Sequence, residues 1–268
     1  MTDTDPLDAT RQMWSRGSYA TMGDVFAAAG QDLVATVGVE GLDVLDVACG
    51  TGNTTLAAAR AGARHVTGVD LTPPLLEEAA RRAEASGLAD RVTWHEADMA
   101  DLPVDDDGFD RVLSSFGAIF ATDQQRVAGE LRRACRPGGT VGVTAWAIGG
   151  LFDLMTETLR SHVPDLPPAG PSPRDWGRAE LLPGIFAIDP DALAFAERTI
   201  TWRVPSADAA MAVCEENAAP VIVLRQALGD GWAPARAEVV ALFAELGTEG
   251  PDGIELPLAY TVATFAEP

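Results

Sequence analysis

The sequence predicts an α/β fold, a doubly wound, mostly parallel sheet of seven strands whose last strand runs antiparallel. Three observations predict it. Between residue 42 and about 146, short apolar runs of strand length alternate with amphipathic helical stretches, the pattern of a parallel sheet covered on both faces. The first run enters a glycine turn, Val-Leu-Asp-Val-Ala-Cys-Gly-Thr-Gly-Asn over residues 44–53, with a helix starting just beyond. Late in the chain, Thr199 to Val204 and Ile254 to Phe265 read as strands joined by a long connection, placed to close the sheet as an antiparallel hairpin.

Each element has a local reason. Met13 to Ala35 reads as helical, able to fold over the mouth of the glycine turn, and Leu42 to Ala48 is the first strand. Thr54 to Ala61 is Ala-rich and helical, and His65 to Val69 forms a second strand ending at Asp70. Thr72 is placed to cap the next helix, with Pro73 at its first position, Leu75, Leu76, Ala79, Ala80 and Ala83 as its buried stripe and Gly87 at its stop. Val92 to Glu96 and Phe109 to Ser114 are the third and fourth strands. Asp123 caps a helix expected to run through Arg136, and Pro137, Gly138 and Gly139 turn into a fifth strand, Thr140 to Trp146. Beyond it the pattern changes. Residues 149 to 163 read as one helix, and Pro164 to Pro173, with five prolines in ten residues, reads as a stiff linker. Arg174 to Ile185 is a short helix, and 206 to 246 is mostly helical with breaks at Pro220 and at Gly229 to Pro234. The expected division is a helical lid over 1–41, a cofactor-binding core over 42–146, a substrate-covering lobe over 147–200 and a part completing the sheet over 201–268.

Composition bounds the partners. The 268 residues, 47% apolar, suffice for one α/β core with an added lobe. A formal net charge of −21 repels phosphate backbones and anionic lipid heads, so no nucleic acid partner is expected. The chain has no lysine, and all 19 cationic side chains are arginine, which excludes Walker-type and Schiff-base lysines. Compositional bias is the ordinary reason for an absence of lysine, and salt adaptation is a second source of acidity that the sequence does not separate from it. The acidic opening segment lacks the basic start and apolar stretch of a secretory signal, and no uncharged apolar run reaches roughly 18 residues. A cytoplasmic protein without membrane insertion is expected. Cys49, Cys135 and Cys214 are odd in number and without metal-ligand spacing, which fits a reducing compartment and no metal site.

In an open α/β sheet the ligand binds beyond the carboxyl ends of the strands at the switch point, so the loops after the first four strands should converge. They carry Gly50 and Gly52, Asp70, Asp98 with Met99, and Ser115 with Phe116. Asp70 stands twenty residues after Gly50, spaced to accept both hydroxyls of a ribose. A nicotinamide cofactor would fit that much. Two residues argue otherwise: Thr55 replaces the third glycine of the dinucleotide fingerprint, and Asp46 inside the first strand would oppose a pyrophosphate while balancing an ammonium and a sulfonium. Taken singly, each carboxylate also reads as a solvated strand-end acid. As an ordered set they match the needs of S-adenosylmethionine.

At this point the chain resembles a known family. The stretches VLDVACGTGN, GVD, EADMADLP, FDRVLSSFGAIFATD and LRRACRPGGTVGVTAW, in this order and spacing, resemble class I S-adenosylmethionine-dependent methyltransferases with a Rossmann-like sheet. The Ser-Phe-Gly after the fourth strand and the Arg-Pro-Gly-Gly before the fifth are similar to the ubiquinone/menaquinone-biosynthesis type and its relatives acting on small natural products. The resemblance implies methionine-moiety contact by Asp46 and the Gly50 to Gly52 turn, ribose binding by Asp70, adenine binding by Asp98 and Met99, and Ser115 near the amino end. Ala48, Asn53 and Leu71 complete the expected cofactor set. Trp14, Gly17 and Tyr19 resemble the family's N-terminal lid, where a tyrosine approaches the cofactor.

The expected reaction is in-line methyl transfer to a small, largely apolar acceptor, carbon, nitrogen or oxygen, leaving S-adenosylhomocysteine. A cyclase or isomerase that keeps the fold and cofactor without transfer is the rival, and a nicotinamide-dependent oxidoreductase the second. His162 is the base candidate, with a surface histidine as the alternative, whereas His65 and His95 lie in strands and read as structural. Phe116, Phe120 and Trp176 are candidates for lining an acceptor pocket, with core packing as the competing reading. A homodimer is an admitted assembly.

Overall fold

A computed structural model describes residues 6–16, 19–163 and 172–268. Helices α1 (Pro6–Trp14) and α2 (Tyr19–Val37) precede strand β1 (Asp43–Val47). Then follow α3 (Asn53–Arg60), β2 (His65–Asp70), α4 (Pro73–Ala85), β3 (Val92–Glu96), β4 (Phe109–Ser115), α5 (Gln124–Ala134) and β5 (Cys135–Trp146). The second half supplies α6 (Leu151–Ser161), α7 (Leu182–Phe186), β6 (Ala194–Val204), α8 (Ala207–Asn217), α9 (Ala219–Leu228), α10 (Trp232–Leu246), β7 (Thr248–Gly250) and β8 (Gly253–Ala266).

Seven strands form one continuous path in the order β3-β2-β1-β4-β5-β8-β6, and the short β7 pairs with β8 off that path. Strands β1 to β5 are mutually parallel, while β8 runs antiparallel to both β5 and β6. Nearly every residue of β1 and β2 is buried, as strands covered on both faces require. From β1 the chain winds outward through β2 to β3, then returns to β4 and winds the other way to β5. Right-handed crossovers in opposite directions place their helices on opposite faces and leave a crevice between the carboxyl ends of β1 and β4. The site lies there.

Several elements differ locally from expectation. The single helix expected over Met13 to Ala35 is two helices, α1 ending at Trp14 and α2 starting at Tyr19; Gly17 between them lies outside the described residues. Asp123 does cap α5, its Oδ1 accepting from the Arg126 amide at 3.0 Å, but the helix stops at Ala134 rather than Arg136. Cys135 already pairs with Phe109, and the register shifts before Arg111 meets Thr140. Gly138 donates to the Glu267 carbonyl and Gly139 accepts from the Glu267 amide, so sheet pairing takes the residues that would have formed the last half-turn. Thr72 occupies the cap position of α4 without a side-chain cap bond, its hydroxyl and its amide both engaging Asp70 instead.

The helix expected over Arg174 to Ile185 is a 3-10 turn at Pro173–Gly177 followed by α7. Ser172 and Asp175 close a capping box on that turn, which seats Trp176 in the core. Of the expected linker Pro164 to Pro173, residues 164–171 lie outside the described residues. The expected breaks fall between α8 and α9 and between α9 and α10, with Pro220 and Pro234 in the first turns of α9 and α10, where a missing amide is harmless. Strand β6 begins at Ala194, within the span expected to be the lobe. No helix among the described residues is long and apolar enough to cross a membrane.

Candidate active site

The loops after β1, β2, β3 and β4 converge on one cleft of about 890 Å³, open solvent at its mouth included. Ala48 and Gly50 come from the glycine turn, Asp70, Leu71 and Thr72 from the end of β2, and Asp98, Met99 and Ala100 from the loop after β3. Phe116, Gly117 and Phe120 to Asp123 follow β4. Helix α1 closes the remaining side with Leu7, Thr10 and Trp14.

Three anchors hold the glycine turn in shape. Gly50 N–H donates to Asp70 Oδ2 at 2.8 Å, and Thr72 N–H donates to Asp70 Oδ1 at 2.9 Å. Burial pushes the Asp70 carboxyl up, against the downward pull of the Gly50 and Thr72 amides. Behind the turn, Thr55 Oγ1 donates to Asp46 Oδ2 at 2.6 Å, and Asp46 is only 1% exposed. Burial pushes its carboxyl up to about 7, opposed by the Thr55 bonds and reinforced by the Asp70 charge. Asp46 Oδ1 is buried and has no hydrogen-bond partner. The third anchor is Arg82 on α4, whose Nη1 donates to Asn53 Oδ1 at 2.9 Å and to Thr51 Oγ1 at 3.0 Å, while Nη2 pairs with Asp24 on α2 at 2.6 Å. Gly52, at φ 80°, packs so tightly that a Cβ there would stand 2.9 Å from the Trp94 ring. Cys49 is a buried packing residue whose thiol is pushed up by desolvation.

The β4 side is strained where it meets the turn. Ala48 and Phe116 both have positive φ, 54° and 57°, a conformation that costs a non-glycine residue about 1–2 kcal/mol. Gly117 lies so close to Ala48 that a Cβ would come within 2.4 Å of the Ala48 Cβ. Successive strand residues face opposite ways. Ser114 therefore reaches the turn, donating from Oγ to the Val47 carbonyl at 2.8 Å and accepting from Ala118 N–H at 2.9 Å. Ser115 turns to β5, where its Oγ lies 3.1 Å from Thr144 Oγ1. Phe116 stacks on Trp146 with centroids 4.0 Å apart, and Phe26, Phe152 and Tyr260 extend that cluster into the core.

The expected residues thus separate. Ala48, Gly50, Asp70, Leu71, Asp98, Met99, Phe116 and Phe120 share the cleft wall. Asp46, Gly52 and Asn53 stand behind it as supports, and Ser115 faces away. Trp176 is fully buried against Phe186, edge to face with centroids 5.2 Å apart, so core packing is the arrangement found. His162 ends α6, outside the cleft wall, with Nε2 3.0 Å from Glu238 on α10. His65 bonds Thr93 between β2 and β3. The Tyr19 side chain lies outside the described residues. Sequence reasoning missed Leu7, Thr10, Thr72, Gly117 and Asp123. The spacing of Leu7, Thr10 and Trp14 on one helix face was the available sign for α1.

A second cavity of about 1070 Å³ lies beside the amino end of β5, between α5 and α7. Arg132 and Arg133 at its wall are committed to Glu267 and to Glu130 and Asp106. It is remote from the strand ends where ligands bind in this topology.

Residues 44–139 match the family described as methyltransferase domain. An uncharacterized protein of Mycobacterium tuberculosis is 39% identical over 246 residues, covering 89% of this chain and 87% of the relative. Methyltransferase GfsG of Streptomyces halstedii is 36% identical over 113 residues, 42% of this chain and 41% of that protein. The YcgJ protein of Bacillus subtilis shares the fold, with a TM-score of 0.60 at 18% identity, covering 90% of this chain and 98% of that one. Residues 44–139 form a methyltransferase domain of the class I, S-adenosylmethionine-dependent family. The narrower likeness to the ubiquinone/menaquinone-biosynthesis type rests on its motifs alone.

S-adenosylmethionine is the methyl donor of this domain family, and the residues present fit it. Asp70 accepts from the Gly50 and Thr72 amides and borders the cleft with its carboxylate.

Proposed function

We propose that this methyltransferase transfers the donor's methyl group to a small, largely apolar metabolite by in-line displacement. The observation that carries the reading is that one cleft joins an acidic end, Gly50 with Asp70 and Asp98, to an apolar wall of Leu7, Trp14 and Phe120. In this reading Asp70 accepts the ribose hydroxyls, and Leu71, Asp98 and Met99 flank the adenine. Ala48 and Gly50 border the methionine part, with Asp46 supporting them from behind through Thr55.

When bound, the donor supplies an electrophilic methyl group on a sulfonium. The chain's own work is alignment and exclusion of water, which supplies a large part of the rate for a displacement of this kind. Leu7, Trp14 and Phe120 keep the acceptor end dry, and Trp14 and Phe120 meet edge to face with centroids 4.7 Å apart. Among the described residues no histidine lines the cleft, so His162 is not retained as a base, and positioning of an acidic phenol or enol suffices.

Isothermal titration with S-adenosylmethionine and S-adenosylhomocysteine should show binding by the wild-type protein. Incubation with a pool of phenolic and enolic acceptors should then generate S-adenosylhomocysteine with a methylated product. A rearranged acceptor without S-adenosylhomocysteine would replace methyl transfer with the cyclase or isomerase reading.

A further inference from the structure

We propose that the acceptor half of this cleft selects an acceptor carrying neither phosphate nor carboxylate, and that Asp123 enforces the selection. The inference rests on the methyltransferase reading of the cleft and adds the electrostatic class of its second substrate.

The acceptor half is built from Leu7, Thr10 and Trp14 on α1 and from Phe120, Thr122 and Asp123 before α5. Among the described residues, the charged side chains on the whole cleft wall are Asp70, Asp98 and Asp123, all carboxylates. No arginine lines it, the chain has no lysine, and residues 1–5, 17–18 and 164–171 contain no arginine or histidine that could supply a cation. Two arginines beside wall residues are held by other groups of the chain. Arg126 Nε donates to the Ala100 carbonyl at 2.7 Å, and Arg11 pairs with Asp8 and Glu96.

An anionic group entering an apolar wall needs a cation or unoccupied amides to replace its water. The amino end of α5 is the one feature of this half that would attract an anion. The chain's own carboxylate already sits on it, Asp123 Oδ1 accepting from the third amide, Arg126 N–H, at 3.0 Å. A phosphate or carboxylate on the acceptor would meet Asp123 as a like charge, with nothing on the wall to offset it.

The test uses the full-length protein loaded with S-adenosylhomocysteine and two matched probe pairs, naphthol against naphthyl phosphate and methyl hydroxybenzoate against hydroxybenzoate. Calorimetry at neutral pH should find each uncharged member binding about tenfold or more tightly than its charged partner. Asp123→Asn keeps the helix cap, because asparagine caps as well as aspartate, and removes the charge. It should narrow that ratio at least about threefold while S-adenosylhomocysteine affinity holds. Equal or tighter binding of a charged member, no binding by either uncharged member, or an unchanged ratio in Asp123→Asn would each overturn the proposal. Loss of S-adenosylhomocysteine binding by the wild-type protein would instead overturn the donor-site reading itself.

Discussion

Asp70 at the end of β2 receives the Gly50 amide of the glycine turn at 2.8 Å, across twenty residues of chain. The same carboxylate therefore shapes the turn and borders the cleft. Asp70→Ala removes a charge-assisted acceptor worth about 1.5–3 kcal/mol, so S-adenosylmethionine affinity should fall about 10- to 100-fold. Isothermal titration measures it, and tight binding retained by the variant would remove Asp70 from the donor site.

The Asp46 carboxyl, raised by burial from 3.8 to about 7, links stability to pH. The folded protein holds this proton through an interval in which the unfolded chain releases it. Its contribution is complete below about pH 4 and is lost as the pH rises towards 7. Asp46→Asn cannot ionise, so urea melts should show wild-type stability declining relative to the variant from pH 4 to pH 7. A difference independent of pH would contradict the raised value.

Arg82 grips Thr51 and Asn53 from outside the cleft and ties them to Asp24 on α2. Arg82→Ala should raise the S-adenosylmethionine Kd a few-fold to about tenfold with little change in thermal midpoint, because the guanidinium is partly solvated but orders the turn. Lysine cannot make the fork and should not restore affinity. An equal Kd for wild type and Arg82→Ala would make the contact incidental.

Gly117→Ala places a Cβ 2.4 Å from the Ala48 Cβ and 3.0 Å from the Ala48 carbonyl oxygen. Neither neighbour is the end of a flexible side chain. A loss of about 1–3 kcal/mol in chemical denaturation is expected, with weaker donor binding. Wild-type stability would show that the two loops move apart freely.

The parallel core was legible because its strands are apolar on both faces and punctuated by residues with one conformational use, such as Pro73 at a helix start. The acidic end of the cleft was legible for a related reason. Asp70 and Asp98 follow strand-like runs at a spacing readable in the sequence, with Asp46 inside β1 behind them. Reading was poorest where two neighbours compete for one direction. Ser114 and Ser115 are indistinguishable in composition, and only the phase of β4 decides which one meets the turn. Trp176 and Phe120 are both aromatic residues after the core strands, yet one is enclosed against Phe186 and the other borders the cleft.

Local order and the glycine turn follow from residues close in sequence, whose spacing and backbone limits act whatever the rest of the chain does, and the methyl donor follows from the order of the motifs between residues 44 and 146. The roles of His162, Ser115, Trp176 and the α1 wall depended on packing between distant segments. His162 pairs with Glu238 on another helix, and α1 lies across loops more than thirty residues away. Burial and alignment of that kind arise from the summed contacts of the folded chain, and no spacing along the sequence encodes them.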